Sequence, residues 1–450
     1  MNTAEFLRTA LERHRSGHLD EAESLYRKIL DAEPGNAGAL HLLGALVSKK
    51  GHADDAIGLI REALAIDPDN AVARANLAGI LFDGDLMDEA ARQCEQAVRI
   101  NPALTEGWYN LGNIRREQGR IDDALSCYGR TLELNPGHAQ AHWNSALLLL
   151  LKGDYEKGWK EYEWRWKNPN LPTPDVDFPQ PLWDGANLEG KVVFLYAEQG
   201  HGDAIQFVRF VMNAAARSAR IVLGCNESLK RLFENLYGVV DIVTPRTAIP
   251  PFTCHRSLMS LPGLFGVTAD TIPAAIPYLE ADPALVRQWA ARIGQGPEFK
   301  VGLVWRGNPD QERDRYRSLA LPILAPLLEV PGVSFFSLQK NPTPEDLPYP
   351  ECLLDLGPEL EDYADTAAVI ANLDLVISVC TSSAHLAGTM GRPLWVMLSH
   401  LPDWRWFLDR DDSPWYPTAR LFRQDKPGDW DGVVARMAGE LEALARERAP

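Results

Sequence analysis

Paired cysteines, long apolar runs and an excess of positive charge are all missing from this chain of 450 residues. Its six cysteines include no CxxC pair, and no histidine lies at metal-ligand spacing from them. This argues against a structural zinc site and favours a reducing compartment. The longest apolar run, ALLLLL at 146–151, is too short to span a bilayer. The N-terminus carries charge where a signal peptide needs an apolar stretch, so we expect a cytoplasmic protein.

The charge balance excludes further partners. The formal net charge is −17 at pH 7, which opposes non-specific binding to nucleic acid and to anionic membrane surfaces, because both are polyanions. The composition, 46% hydrophobic and 24% charged, is that of an ordinary soluble protein. The length suggests about three domains. We therefore expect no nucleic acid and no membrane span, while the oligomeric state stays open.

An internal repeat occupies the first part of the sequence. Four prolines recur at a spacing of 34 residues, the period of the tetratricopeptide helix pair: Pro34, Pro68, Pro102 and Pro136. A small, a turn and a bulky residue recur in the same frame: Ala22, Ala56, Ala90 and Ala124; Gly17, Gly51, Asp85 and Gly119; Tyr26, Ile60, Cys94 and Tyr128. The small residue lets two helices approach, the turn residue reverses the chain, and proline ends the second helix. The pattern predicts four repeats over 3–136 and a fifth, capping unit, so that a helical solenoid spans 1–167.

A proline-rich connector is predicted at 168–189. Short, nearly continuous apolar runs then alternate with helix-length segments, which predicts parallel sheets covered on both faces by helices. A polar stretch around 281–299 divides them into two doubly wound, Rossmann-like domains, 190–290 and 298–450, that face each other across a cleft. The runs are KVVFLYA at 191–197, ARIVLGC at 219–225, GVVDIVT at 238–244, KVGLVW at 300–305, VSFFSLQ at 333–339, LDLVISV at 373–379 and PLWVML at 393–398.

The first predicted strand is followed by the loop EQGHGD at 198–203. Ligands in such folds lie beyond the carboxyl ends of strands, and Gly200 and Gly202 allow a close backbone approach beside a helix N-terminus. The carboxylate of Asp203 has two interpretations that do not exclude each other. It is a catalytic group, or it is a helix N-cap in a capping box with Gln206.

Polar groups also follow the strands of the second predicted domain. Thr381, Ser382 and Ser383 are expected at a helix N-terminus, either binding a phosphate with His385 one turn further on, or only capping the helix while His385 packs inside. The stretch 305–318 contains four arginines, which either bind a diphosphate or belong to a solvated charged loop. The polar residues of LQK at 338–340 also follow a strand, but they are weaker evidence for a binding site. The arginines are Arg306, Arg313, Arg315 and Arg317.

Several nucleotide and nucleophile motifs are absent. No GxGxxG follows a strand, and neither GxxxxGK[ST] nor GxSxG occurs. The pair DVD at 175–177 lies in the proline-rich connector and gives no metal-diphosphate site. The predicted cleft therefore suits a nucleotide diphosphate held by helix ends and cations, with no metal or other cofactor.

The sequence resembles the bacterial tetratricopeptide-repeat glycosyltransferases, whose catalytic part is a GT-B fold related to heptosyltransferases. The stretches that carry the resemblance are GDYEKGWKEYEWRW, AEQGHGDAIQFVRF, VGLVWRGNP, DRYRSL, SLQK, GRPLWVML, PDWRW, SPWYPTARLFRQ and GDW. The resemblance implies metal-independent transfer of a sugar from a nucleotide-activated donor, with Asp203 as general base. It implies that the donor is bound by Gln199, Gly200, Gly202, Trp305, Asn308, Arg317, Gln339, Thr381, Ser382, Ser383, His385 and Leu386.

Two positions depart from the family pattern. Related enzymes usually begin the second-domain loop with an acidic residue, and this chain has Cys380, which puts donor affinity or activity itself in question. His201 replaces a commonly apolar residue and is a candidate for contact with donor or acceptor, as are Trp404 and Trp406, for which a core position is the alternative. Three hypotheses stay open: a transferase acting on a protein recruited by the array, flagellin-like by analogy; a transferase acting on a lipid-linked or free glycan; and an inactive scaffold.

Overall fold

The computed structural model describes residues 3–171, 178–217, 220–294, 296, 298–311 and 313–448. Residues 172–177, which include the DVD pair of the connector, lie outside the described residues. The chain divides into two compact units, Met1–Ser145 and Ala146–Pro450. None of the helices in these ranges combines the length and the apolar content needed to cross a membrane.

The first unit consists of helix pairs, and equivalent helices recur every 34 residues. Each even-numbered helix ends two residues before one of the four periodic prolines, as the sequence pattern predicts. The boundary between the units falls inside the ninth helix. The helices are α1 Thr3–Arg15, α2 Leu19–Ala32, α3 Ala37–Lys49, α4 Ala53–Ile66, α5 Ala71–Asp83, α6 Met87–Ile100, α7 Thr105–Glu117, α8 Ile121–Leu134 and α9 Ala139–Leu151.

Packing within this unit confirms the repeat frame. The four periodic alanines and the four periodic bulky residues are all completely buried. The turn positions have positive φ, +83° at Gly17, +88° at Gly51, +59° at Asp85 and +72° at Gly119, a region that glycine enters without strain. A methyl group at Gly112 would lie 2.5 Å from the ring of Tyr128, so the signature glycine sets how closely α7 and α8 approach.

The predicted capping unit is divided between the two compact units. Its second helix, α10 (Tyr155–Tyr162), and the 3₁₀ turn Glu163–Lys167 belong to the second compact unit. The rings of Tyr155 and Trp159 pack there against Trp404, with centroids 6.3 and 5.4 Å away. The compact first unit therefore ends at Ser145, and the aromatic residues of α10 pack in the interior of the second unit.

Two parallel sheets form the second unit, as predicted. The first has the strand order β3-β2-β1-β4, with β1 Val192–Tyr196, β2 Arg220–Gly224, β3 Val239–Val243 and β4 Cys254–Ser257. Its helices are α11 His201–Phe207, α12 Val211–Ala215, α13 Lys230–Phe233 and α14 Leu261–Leu264. The sequence pattern missed β4, because its residues CHRS are mostly polar.

The second sheet has six parallel strands in the order β10-β9-β8-β5-β6-β7. The strands are β5 Phe299–Val304, β6 Val333–Ser337, β7 Leu353–Asp355, β8 Leu375–Val379, β9 Leu394–Leu398 and β10 Ala419–Arg423. The helices are α15 Pro283–Ile293, α16 Asp314–Arg317, α17 Ala325–Leu328, α18 Tyr363–Ala371, α19 Ser382–Thr389 and α20 Trp430–Arg448. The short β7 and the arginine-flanked β10 were not predicted.

Strand order places the positions where a ligand is expected. The order reverses between β1 and β4 in the first sheet and between β5 and β8 in the second, and crevices form beyond the carboxyl ends of strands at such points. We call these the first and second switch points. Helix α15 packs against α18 of the second sheet, where Trp289 Nε1 donates to Asp365 at 3.2 Å. Helix α15, which precedes β5, thus packs on a helix of the second sheet.

Candidate functional site

The loops that follow β1 and β8 touch each other. A methyl group at Gly202 would lie 2.9 Å from His385 Cδ2 and 3.4 Å from the Cα atom of Ser382. Any larger residue at 202 would push the first turn of α11 away from the first turn of α19. The structure therefore brings together Gly202, Asp203, Ser382 and His385, four residues that the sequence assigned to one cleft.

Asp203 is not the N-cap of its helix, which corrects one of the two interpretations. Helix α11 begins at His201 with Gly200 as N-cap, so Asp203 is the third helical residue, and its Oδ2 accepts from the backbone N–H of Gly200 at 2.9 Å. Its Oδ1 accepts from the guanidinium of Arg405. The side chain stays 21% exposed. Burial raises the pKa of Asp203, and the charge of Arg405 opposes that rise.

His385 is buried, as the packing interpretation has it. Its Nδ1 lies 2.8 Å from the hydroxyl oxygen of Tyr416, and its ring stacks on Trp406 with a centroid distance of 5.6 Å. Burial lowers the pKa of His385 to about 3, so the ring is neutral at physiological pH. A neutral imidazole brings no positive charge to a phosphate. The side chain of Leu386, the last residue of the predicted donor loop, is completely buried too.

Two of the three hydroxyl groups at the start of α19, those of Thr381 and Ser382, make hydrogen bonds within the protein. Thr381 is the N-cap residue, yet its hydroxyl makes no capping hydrogen bond and lies 2.9 Å from Ser378 Oγ. Ser382 Oγ accepts from the hydroxyl of Tyr363 at 2.7 Å, and Ser383 is buried. The expectation that these hydroxyls cap the helix is thus not met at Thr381, while the backbone N–H groups of the first turn still point out of the helix end.

Among the four arginines of 305–318, Arg317 reaches the second switch point. Its Nη1 donates to the carbonyl oxygen of Cys380 at 2.7 Å, and its Nε donates to Asp314 at 2.8 Å. Arg306 also follows β5 directly, but its side chain pairs with Asp346 at 3.1 Å, and Arg313 and Arg315 lie over the ring of Tyr316 at 5.1 and 4.6 Å. Of the predicted cluster of four cations, Arg317 is thus the one that contacts the loop after β8.

Three other predicted donor contacts are structural or local. Trp305 is completely buried, and Gln339 Oε1 accepts from the backbone N–H groups of Trp305 at 3.3 Å and Arg306 at 3.1 Å. The side chains of both residues, predicted to bind the donor, thus support the loop after β5 from inside. Asn308 Oδ1 accepts from the backbone N–H of Asp310 at 3.2 Å, a turn contact within the same loop.

The two tryptophans proposed for the acceptor side lie in the interior. Trp404 is 3% exposed and Trp406 is completely buried, so neither can line an open surface, and the core alternative is correct. His201 packs its ring against Tyr363 at a centroid distance of 5.2 Å. The amide Nε2 of Gln199 is buried with no hydrogen-bond partner in the part of the chain that the structure describes.

Cys380 supplies a neutral group where the family resemblance predicts a carboxylate. Its Sγ accepts from the indole N–H of Trp406 at 3.0 Å. Burial and, to a lesser extent, the charge of the neighbouring Asp403 raise the pKa of the thiol to about 11. The group is therefore a thiol and not a thiolate at physiological pH.

Sequence analysis missed two buried arginines beside these loops, Arg165 and Arg405. Arg165 fills the first switch point: its Nη2 donates to Glu198 at 2.8 Å and to Ser260 at 2.7 Å, and the side chains of Arg165 and Glu198 are both 0% exposed. Arg405 binds Asp203, as described above. The signal for both was an arginine set between tryptophans, in EWRW and DWRW.

Two family models described as tetratricopeptide repeat match the chain, one at residues 7–71 and 109–162 and the other at 48–111. The first unit is thus a tetratricopeptide-repeat array. Protein FlbA of Caulobacter vibrioides is 30% identical over 330 residues, which cover 67% of this chain and 54% of that protein. The chain therefore spans about half the length of this curated relative. An alignment of 330 residues is also longer than the repeat region, so the likeness extends into the α/β region.

Solved structures resemble the chain over a smaller part. Two crystal structures of MamA are 26% and 24% identical, each with a TM-score of 0.32, and cover 34% and 38% of this chain and 91% and 98% of their own. A structure of Pseudomonas aeruginosa pilF is 18% identical with a TM-score of 0.38, and covers 48% of this chain and 86% of its own.

Proposed function

We propose that the chain is a glycosyltransferase in which the second unit forms a GT-B fold and the repeat array binds a protein acceptor. The observation that carries the proposal is the contact between the first turns of α11 and α19. It sets the partly exposed carboxylate of Asp203 where the carboxyl ends of strands from two parallel sheets meet, the position in which such folds bind nucleotides.

In the proposed reaction, Asp203 accepts the proton of an acceptor hydroxyl while the oxygen attacks the anomeric carbon of the donor. A bond forms between that oxygen and the anomeric carbon, and the bond from the anomeric carbon to the diphosphate breaks. A carboxylate whose pKa is raised by burial is a stronger base than an exposed one. Arg317 and the N-terminal N–H groups of α19 stabilise the departing nucleotide diphosphate.

The test is nucleotide release from a panel of UDP-, GDP-, ADP- and dTDP-sugars, with thermal shift as a binding readout. We expect one donor to raise the melting temperature, and we expect Asp203→Asn to slow release by about 100-fold or more. Glu234→Gln, which changes an exposed carboxylate just after α13 of the first sheet, is the matched control. The proposal is wrong if no sugar nucleotide binds or if Asp203→Asn releases nucleotide at the wild-type rate.

A scaffold without transferase activity is the second candidate, favoured by two observations. Both carboxylate oxygens of Asp203 already accept hydrogen bonds within the protein. Cys380 also removes the acidic group that related enzymes carry at the second switch point. For a scaffold we expect partner capture by the array together with no thermal shift from any member of the panel, an outcome that the transferase proposal excludes.

A further inference from the structure

We propose that Arg405 is a positioning residue that orients the carboxylate of Asp203. Arg405 does so from the part of the second unit that carries the second sheet. This inference rests on the proposed function, since it assigns a role around the same carboxylate. Asp203 belongs to α11, which follows β1 of the first sheet. Arg405 belongs to the 3₁₀ turn Trp404–Trp406, which lies between β9 and β10 of the second sheet.

The guanidinium of Arg405 has all three of its nitrogens engaged. Nη2 donates to Asp203 Oδ1, Nε donates to Gln206 Oε1, and Nη1 donates to both carboxylate oxygens of Asp403 at 2.9 and 3.1 Å. Its central carbon lies 4.3 Å from the ring of Trp404, and the residue is 6% exposed. A planar group held at every edge has one orientation, so it fixes the carboxylate that it binds.

The charges around Asp203 show why a cation is needed there. The charged and titratable groups that face it are Arg405 and Asp403 from the 3₁₀ turn, Arg317 from α16, Tyr162 from the end of α10 and the neutral His385 from α19. Without Arg405, the nearest charged group left on that turn would be the carboxylate of Asp403. Like charge and burial both disfavour ionisation, so Asp203 would hold its proton to a higher pH and lose its orientation.

The contact between Arg405 and Asp203 also joins the parts of the second unit that carry the two sheets. Asp203 follows a strand of the first sheet and Arg405 follows a strand of the second, so any movement that separates the sheets takes the cation away from the carboxylate. The base is then held in this orientation only when the first turns of α11 and α19 are in contact.

The first arm of the test is a double-mutant cycle that needs no substrate. Asp203→Asn, Arg405→Gln and the double variant of the full chain are unfolded in urea at neutral pH. We expect the double variant to have a higher urea midpoint than the sum of the two single changes predicts, because Arg405→Gln alone leaves the carboxylate unpaired. Additive midpoints would overturn the inference, whether or not the protein has transferase activity.

The second arm is the pH profile of nucleotide release with the sugar nucleotide that the wild type consumes. We expect Arg405→Gln to lower kcat with little change in KM and to move the acid limb to higher pH, with Arg405→Lys intermediate. Arg209→Gln is the control, because Arg209 is also buried and links Pro273, Tyr278 and Trp415 without contact to Asp203. An acid limb that Arg405→Gln and Arg209→Gln leave equally unchanged would refute the positioning role. Absence of release by the wild type would contradict the proposed function, and the cycle still decides on Arg405.

Discussion

Replacing Arg165 with methionine removes the cation from a completely buried ion pair. Arg165 Nε lies 3.2 and 3.1 Å from the two carboxylate oxygens of Glu198, and its Nη2 lies 2.8 Å from one of them. Its other donors bind Ser260 at 2.7 Å, Glu163 at 2.7 Å and the carbonyl oxygen of Tyr162 at 3.1 Å. After the substitution, Glu198 keeps a hydrogen bond from Ser257 and no positive charge among these partners.

The expected magnitude follows from burial. Breaking a buried pair by removing one partner costs about 3–5 kcal/mol, because the other charge is left desolvated and uncompensated. An exposed pair contributes about 0–1 kcal/mol. Arg292 and Glu359 form such a pair, with atoms 2.7 Å apart and side chains 40% and 44% exposed. We therefore expect Arg165→Met to destabilise the second unit several-fold more than Arg292→Met, although both pairs have good geometry.

Urea unfolding followed by tryptophan fluorescence measures this difference. All tryptophans except Trp108 and Trp143 lie in the second unit, so the signal reports mainly that unit. The double variant Arg165→Met/Glu198→Gln should recover part of the loss, since it removes the buried charge as well. The reasoning is refuted if Arg165→Met costs no more than Arg292→Met, or if the double variant is less stable than the sum of its single changes.

Two further predictions concern packing and pH. Gly112→Ala should destabilise the array by about 1–3 kcal/mol, because its methyl group would lie 2.5 Å from the Tyr128 ring. Gly129→Ala, with open space around it, should instead stabilise the array by up to about 1 kcal/mol. Thermal unfolding followed by circular dichroism at 222 nm compares the two variants, and equal effects would contradict close packing at Gly112. Burial lowers the pKa of His385 to about 3, so between about pH 6.5 and 3 the unfolded chain binds a proton that the folded chain does not. The free energy of unfolding therefore decreases as the pH is lowered through this range, by up to about 1.4 kcal/mol per pH unit. His385→Asn should lose stability less steeply between pH 7 and pH 5 in urea unfolding, and a slope equal to that of the wild type would show that His385 does not carry this dependence.

Local patterns predicted the architecture because they are set by residues close together in the chain. The 34-residue frame located every helix pair of the array, and each of the seven apolar runs became a parallel strand. The strands that were not predicted are short or carry polar residues, so they lack an apolar run: β4, β7 and β10. The start of α11 was misplaced by three residues because Asp203 suits an N-cap in sequence, while Gly200 takes that position in the structure.

Side-chain contacts at the site depend on residues far apart in the chain, which sequence patterns do not reveal. Arg405 meets Asp203 across 202 positions, and the tryptophans on either side of it signal burial without naming its partner. Trp404 and Trp406 have the amphipathic rings expected of a binding surface, yet the packing of α10 against the same region buries Trp404. The sequence could thus predict which loops carry polar groups, while the direction in which each group points required the fold.

The two switch points have unequal room for a ligand, and this sets how an acceptor would reach Asp203 in the proposed reaction. Arg165, Glu198, Ser257 and Ser260 fill the first switch point with a satisfied polar network that has no exposed side chain at its centre. A ligand entering there would have to break the buried ion pair, at the cost argued above. The second switch point instead presents the first turn of α19 and the cation of Arg317. Because Ser382 and His385 cover Gly202, the acceptor hydroxyl would approach the exposed edge of Asp203 from the side of Gly200, which is exposed and carries no side chain.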